Sequence, residues 1–272
     1  RVPPFFVGIC EGIRDEHASK RCYAHLLRNL PQDPVKSLFD QDDPVADKYR
    51  RKTKFIGETL LELFAQLAGM PPLAYDTRNN GDFFHDVYAD NRYCGTQTQK
   101  TDSELYFHND RTAHEVRADY LVLLCMRAQD ENRVYTGHID GRDLLRELGA
   151  ETQRRLRQPW YITPFDEYSR DSNAAQVVSD PHLVLENEHS FRYYDTRTTV
   201  APDAPPEAWS ALLALKDAIL KAPKDRVHLR TGDLVCFPTQ DSLHNRDVVE
   251  VNDPGTARRR WRGCRSRGAG HG

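Results

Sequence analysis

The chain has 272 residues, 29% charged and 39% hydrophobic, the balance of an ordinary soluble globular protein and not of a fibrous, low-complexity or membrane-spanning one. A formal net charge of -3 offers no basic surface for nucleic acid or an anionic membrane, and the longest apolar runs, such as Tyr120 to Met126, are far too short to span a bilayer. Six cysteines are scattered with no Cys-X-X-Cys pair, which disfavours a zinc site and a disulfide scaffold and fits a reducing cytoplasm.

No internal repeat or low-complexity linker divides the chain, so one domain is expected over 1–272. Its parts are a helical support over about 1–75, a core over 80–262 and an atypical tail over 263–272. No signal peptide is visible; the chain opens at Arg1 and not Met, which fits truncation upstream. Residues 15–30 carry a short helical pattern with Tyr23, Leu26 and Leu27 on one face. A longer amphipathic helix is predicted from about Lys48 to Ala68, with Phe55, Ile56, Leu60, Leu61, Leu63, Phe64 and Leu67 at i, i+3, i+4 spacings. Gly69 and Pro71-Pro72 stop it.

Beyond that point the character changes. Phe83–Tyr88, Leu105–His108, Tyr120–Arg127, Val134–Ile139, Leu183–Leu185, Phe191–Tyr194, Val227–Leu229 and Leu234–Phe237 read as short strands. Two helices interrupt them: one opened by Asp140 as N-cap and carrying Leu144, Leu145 and Leu148, the other from Pro205 to Ala222. Cys125 and Cys236 lie in apolar strand-like runs and read as core residues. Strands spread widely in sequence, preceded and interrupted by helices, point to an α+β protein whose core is a double-stranded β-helix, or jelly roll. An ordinary α+β fold satisfies the same pattern.

The candidate chemistry lies in His108-Asn109-Asp110 and in His244, far along the chain. On a strand, residues i and i+2 point to one side, so His108 and Asp110 can ligate one metal while Asn109 faces away. A second histidine from another strand completes a 2-His-1-carboxylate facial triad, which holds Fe(II) by one face and leaves three positions open. Thr231-Gly232-Asp233 is a turn entering the buried strand Leu234–Phe237, and His244 follows in what reads as a loop mouth. By composition alone, in a chain with eleven histidines, His244 reads equally well as a surface loop residue.

An ordered set of blocks adds a resemblance. These are Phe84-His85-Asp86-Val87-Tyr88, Gly95-Thr-Gln-Thr98, Glu104-Leu-Tyr-Phe-His-Asn-Asp110, Ala118-Asp-Tyr-Leu-Val-Leu-Leu-Cys-Met-Arg127, Val134-Tyr-Thr-Gly137, Thr231-Gly-Asp-Leu-Val-Cys-Phe237 and Leu243-His-Asn-Arg246. Over roughly residues 80–262 the chain resembles clavaminate synthase and its amino-acid hydroxylase relatives. These are Fe(II)- and 2-oxoglutarate-dependent oxygenases of the taurine dioxygenase superfamily. The resemblance implies His108, Asp110 and His244 as iron ligands, with 2-oxoglutarate and O₂ as cosubstrates. It implies Thr136 as a hydrogen-bond partner, and Arg260 as the salt-bridge partner, of the distal carboxylate of 2-oxoglutarate; Arg258 is the substitute nearby. A guanidinium fork suits a carboxylate bidentately. A threonine in a strand also serves β-propensity, and Arg258-Arg259-Arg260 also reads as a solvated basic patch.

Gln97, Thr98 and His114 fall, by the same resemblance, where relatives contact the substrate's amino-acid portion or carry a family histidine. Arg192 and Asp195 fall near a substrate or lid segment, although a structural polar role suits both. The implied substrate is a free L-amino acid or small derivative in bacterial specialised metabolism, and Asp110 argues for hydroxylation, desaturation or cyclisation over halogenation. A metal-binding jelly roll of cupin-like chemistry and a non-catalytic binding jelly roll are the competing readings. The tail departs from the family. Arg262-Gly-Cys-Arg-Ser-Arg-Gly-Ala-Gly-His-Gly272 has no apolar face and suits a disordered tail or a scrambled reading frame better than a closing strand. His271 within it is not a ligand candidate.

Overall fold

Short antiparallel strands, gathered into sheets and backed by helices, bring the candidate ligands together. The computed structural model describes residues 2–19, 24–34, 43–76, 78–88, 91–101, 103–128, 132–172, 175, 177–247 and 250–251. The N-terminal part runs α1 (Pro4–Ala18), β1 (His25–Leu27), α2 (Pro44–Arg51) and α3 (Ile56–Leu67). The middle part follows with β2 (Leu105–His108), β3 (Tyr120–Leu124), β4 (Asn132–Arg133), β5 (Tyr135–Asp140), α4 (Gly141–Arg146) and α5 (Ala150–Leu156). Then come β6 (Tyr161–Ile162), α6 (Glu167–Ser172), β7 (Thr199–Val200) and α7 (Glu207–Lys221). The chain continues through β8 (Asp225–His228), β9 (Leu234–Pro238), β10 (Ser242–Arg246) and β11 (Glu250–Val251).

Two antiparallel sheets matter for the site: β1-β9-β3 and β2-β10-β5-β8. In β9 every residue is buried because the strand is covered on both faces. Leu234 and Cys236 join a core with Phe6, Cys10 and Ile13 of α1 and Leu60 and Phe64 of α3, whereas Phe237 points the other way, onto the ring of His244. In the second sheet Leu243 and Ile139 are completely buried in a larger core with Leu156 of α5 and Leu212, Leu215 and Ile219 of α7. The period-2 alternation then turns His244 and His138 to the opposite face, toward the first sheet. Helices therefore back both sheets, and the inner faces meet at Phe237 and His244.

Several sequence expectations hold at the level of elements. β2 coincides with its predicted strand, β3, β5, β8 and β9 match within a few residues, and α7 fills the predicted Pro205–Ala222 segment. Asp140 is an N-cap, its carboxylate accepting from the Arg142 N–H at 2.7 Å. Others need correction. The first helix is Pro4–Ala18, started by Pro at its first turn and buried through Phe6, Cys10 and Ile13; Leu26 and Leu27 belong to β1, paired with β9. The long helix is two, α2 and α3, parted at Lys52. Asp33, distant in sequence, supplies the break: its carboxylate accepts from the Ile56 and Gly57 N–H groups at the start of α3 and binds Lys52 Nζ at 3.1 Å.

Phe83–Tyr88 forms no strand; the fully buried Lys48 instead holds this segment, donating to the Asp82 carboxylate at 2.6 Å and the Phe84 carbonyl at 2.8 Å. Leu183–Leu185 and Phe191–Tyr194 make isolated bridges only, Leu185 with Phe191 and Tyr194 with His108. Cys94 is disulfide-bonded, a pairing not foreseen where the sequence disfavours a disulfide scaffold, because spacing along the chain says nothing of spatial pairing. Cys10 and Cys236 are buried free thiols. Among the described residues no helix is long and apolar enough to cross a membrane.

Candidate metal centre

Hydrogen-bond register brings the two ends of the candidate triad together. His244 is the direct cross-strand partner of His108 on one side and of His138 on the other. His244 is thus the middle of strand β10 and not a loop-mouth residue, a correction that follows from the pairing of β10 with β2 and β5. Cross-strand partners share a face, so the three imidazoles line one wall. Asp110, two residues past His108, reaches the same point: ligand atoms of His108, Asp110 and His244 lie within 4.8 Å of one another.

The protonation states suit a cation. His108 Nδ1–H donates to the Tyr106 carbonyl at 2.7 Å, which leaves Nε2 as the lone-pair nitrogen. Burial lowers the His108 pKa, outweighing the opposing pull of Asp110 and the Tyr106 carbonyl. Burial, followed by the neighbouring His108 and His138, drives His244 well below its usual value. A neutral His244 makes its 3.8 Å approach to Asp110 Oδ2 no ion pair, and Oδ2 is buried with no hydrogen-bond partner. Two neutral imidazoles and one unsatisfied carboxylate oxygen form the donor set of a facial-triad metal, so the residues present fit Fe(II).

The walls are aromatic. Tyr194 stacks on His108 with ring centroids 4.6 Å apart, and its hydroxyl donates to the Gln97 carbonyl at 2.8 Å. Phe237 lies 4.8 Å from the His244 ring and 5.7 Å from that of His138. Sequence reasoning did not single out His138, Tyr194 or Phe237. The period-2 relation of His138 to Thr136 was the available signal.

The remaining candidates divide by what their side chains already hold. Thr136 is half-buried on β5, opposite Arg246, and shares the face of His138 and His244. His114 is buried, with Nε2 3.1 Å from Arg111 Nη1 and its ring edge-on to Phe165. Burial, Arg111 and Arg78 push it down to about 4. Gln97 spends its amide on β2, donating to the Glu104 carbonyl at 2.9 Å and accepting from the Tyr106 N–H at 3.4 Å. Thr98 is buried and accepts from the Lys100 N–H at 3.2 Å. Arg192 ties down the loop after the ligand strand, donating to the Thr112 carbonyl at 2.8 Å and the His114 carbonyl at 3.1 Å. Asp195 accepts from the Tyr193 hydroxyl at 2.6 Å and Lys216 Nζ at 2.7 Å. Arg258, Arg260 and the tail 263–272 lie outside the described residues.

Two antiparallel sheets with a His-X-Asp and a distant histidine brought together define a candidate metal-binding protein, and sequence comparison gives its family. The family model for the taurine catabolism dioxygenase TauD, TfdA family matches residues 54–265, and the chain belongs to that family. It is similar to enduracididine beta-hydroxylase of Streptomyces hygroscopicus, 26% identical over 222 residues that cover 72% of this chain and 63% of the relative. It is also similar to clavaminate synthase 2 of Streptomyces clavuligerus, 29% identical over 133 residues covering 48% of this chain and 39% of the relative. The chain thus spans less than two thirds of the length of either relative.

Among solved structures, asparagine oxygenase in complex with Fe(II), 2S,3S-3-hydroxyasparagine and succinate matches with a TM-score of 0.74. That match has 22% identity and covers 92% of this chain and 77% of the other. The non-heme iron oxygenase OrfP, in complex with Fe and alpha-ketoglutaric acid, matches with a TM-score of 0.70 and 22% identity over 90% of this chain and 77% of the other. At these identities the likeness shows a shared fold.

Proposed function

We propose that this chain is an Fe(II)- and 2-oxoglutarate-dependent dioxygenase that hydroxylates an unactivated C–H bond of a free L-amino acid or small amino-acid derivative, in bacterial natural-product biosynthesis. The observation that carries the reading is the convergence of His108, Asp110 and His244 within 4.8 Å on the inner face of a family-typical fold. We read residues 1–272 as one oxygenase domain with a jelly-roll core, supported by the two facing sheets and by the solved structures that share the fold.

In this reading His108 through Nε2, Asp110 through its unsatisfied oxygen and His244 hold Fe(II). Bound Fe(II) with 2-oxoglutarate supplies the oxidising chemistry: one oxygen atom of O₂ enters the C–H bond and the other enters succinate as CO₂ leaves. The protein's own contribution is positional. Tyr106 fixes the His108 tautomer, and Tyr194 and Phe237 wall the site with apolar surface that excludes water. Thr136, on the ligand face, offers a hydroxyl to the distal carboxylate of 2-oxoglutarate, and Arg260, or Arg258 beside it, supplies the guanidinium fork. His114 is neutral and buried, a fit for a hydrogen bond to a substrate amino or carboxylate group. Gln97, Thr98 and Arg192 shape the substrate side through the backbone they hold, and Asp195 through the Tyr193 and Lys216 side chains.

Anaerobic titration of the protein with Fe(II) and then 2-oxoglutarate tests this. The visible charge-transfer band of a chelated 2-oxo acid is expected to saturate at one equivalent, and to be absent in His108→Ala. A protein that binds Fe(II) and develops no band with 2-oxoglutarate would point to other metal chemistry.

A further inference from the structure

Between His108, the last residue of β2, and Asp110, in the turn beyond it, sits Asn109. It is 1% exposed, and every polar group it carries is used. Its Nδ2 donates both hydrogens, to the Thr239 carbonyl at 2.5 Å and to the Ser242 carbonyl at 2.7 Å. Its Oδ1 accepts from the Tyr193 N–H at 2.8 Å. The main chain matches this: Asn109 N–H donates to the Tyr193 carbonyl at 2.9 Å, and its carbonyl accepts from the Thr112 hydroxyl at 2.7 Å. An amide offers two donors and an acceptor in one plane, and no other side chain of that size presents this set.

The partners decide the meaning. Thr239 and Ser242 frame the turn between β9 and β10, and His244 lies two residues past Ser242 on β10. Thr239 is itself 1% exposed, and its hydroxyl accepts from the Asp110 N–H at 3.2 Å. Tyr193 precedes Tyr194, whose ring stacks on His108. A single side chain thus joins the end of β2, between His108 and Asp110, to the turn that delivers His244, and to the segment that packs on His108. Backbone pairing sets His244 opposite His108, but β2 ends at His108, so that pairing does not by itself hold Asp110 or the turn before His244.

Resting on the iron reading, we propose that Asn109, with the Thr239 hydroxyl, is a positioning pair that sets the distance between the His108/Asp110 donors and His244. Partners of metal ligands typically change metal affinity about 10–100-fold when removed, and the same range is expected here although neither residue touches the ion.

Co(II) titration of the metal-free full chain tests the pair, read by the d–d absorption bands and by the thermal midpoint of the metal-free protein. Asn109→Ala is expected to weaken Co(II) about 10–100-fold and to change band position and intensity. Thr239→Val, which keeps shape and removes the acceptor for Asp110, is expected to weaken Co(II) by about tenfold, with only a modest drop in the metal-free midpoint from the unmet Asp110 N–H. Thr239→Ser restores the hydroxyl and is expected to restore both affinity and spectrum. Folded Asn109→Ala and Thr239→Val proteins with wild-type Co(II) affinity and spectrum would overturn the proposal, even with lowered midpoints, since that is the mark of a purely structural role. If Asn109→Ala fails to fold, the Thr239→Val and Thr239→Ser comparison decides alone. A wild-type chain that binds no Co(II), or one whose binding survives His108→Ala, rejects the iron reading itself and this inference with it.

Discussion

Deleting the His244 ring separates the metal site from the fold. Structural metal sites with four ligands contribute about 10–16 kcal/mol, so one ligand is worth about 2.5–4 kcal/mol, or about 10²–10³-fold in metal affinity. The effect on the metal-free protein is much smaller, because two terms oppose. Removing a buried ring that packs 4.8 Å from Phe237 and 4.3 Å from His108 opens a cavity costing about 2–4 kcal/mol. The same deletion removes a buried Nδ1 with no partner, which relieves about 1–3 kcal/mol. The net loss is about 1 kcal/mol, a shift of about 2–4 °C in the thermal midpoint. Calorimetric titration of metal-free wild-type and His244→Ala proteins with Fe(II) under anaerobic conditions gives the first quantity, and scanning calorimetry gives the second. A His244→Ala protein with wild-type Fe(II) affinity would refute the assignment. Loss of cooperative unfolding without metal would show that the ring holds the two sheets together and that the two terms do not balance.

The cosubstrate anchor should fail in stages. Arg260→Ala is expected to weaken 2-oxoglutarate by about 2–5 kcal/mol and Thr136→Val by about 0.5–1.5 kcal/mol, with Fe(II) affinity unchanged in both; loss through Arg258→Ala instead would move the anchor two residues. Gly141→Ala should destabilise the fold by about 3 kcal/mol, seen in a denaturant midpoint, because an added Cβ would stand 2.1 Å from the His189 carbonyl oxygen and 2.7 Å from that of Asp241. Asp33→Ala should cost about 2 kcal/mol by uncapping α3. The Asp33 carboxyl also carries an acid dependence. Burial raises its pKa, but the Gly57 N–H, Lys52 and the Ile56 N–H overcome this and hold it below the usual value. A depressed folded-state pKa gives stability that is complete above the unfolded value of about 4 and disappears as pH falls through the folded one. Urea unfolding of wild type against Asp33→Ala should therefore converge below about pH 4, and a constant gap down to pH 2 would contradict it.

Residue order alone carried much of this molecule. The alternation in Leu105–His108 predicts that His108 and Asp110 share a side; the two do converge, although β2 ends at His108 and Asp110 stands in the turn beyond it, so the turn and not strand pleating places the carboxylate. The unbroken apolar run Leu234–Phe237 announced a strand covered on both faces, and Asp140 its helix, because caps and periodicities are local properties. What periodicity could not supply was who pairs with whom. The same apolar spacing over Lys48–Ala68 serves one helix or two, and only Asp33, brought in from another segment, parts them at Lys52. Lys48 denies Phe83–Tyr88 a strand from outside that segment. Gln97, Arg192 and Asp195 carry polar groups fit for a substrate, and tertiary contacts direct them to the protein's own backbone and side chains. Most plainly, nothing near His244 in sequence says that it meets His108. That contact is made by the register of β10 against β2, a pairing of residues 136 positions apart whose specificity lies in packing on both faces of a sheet.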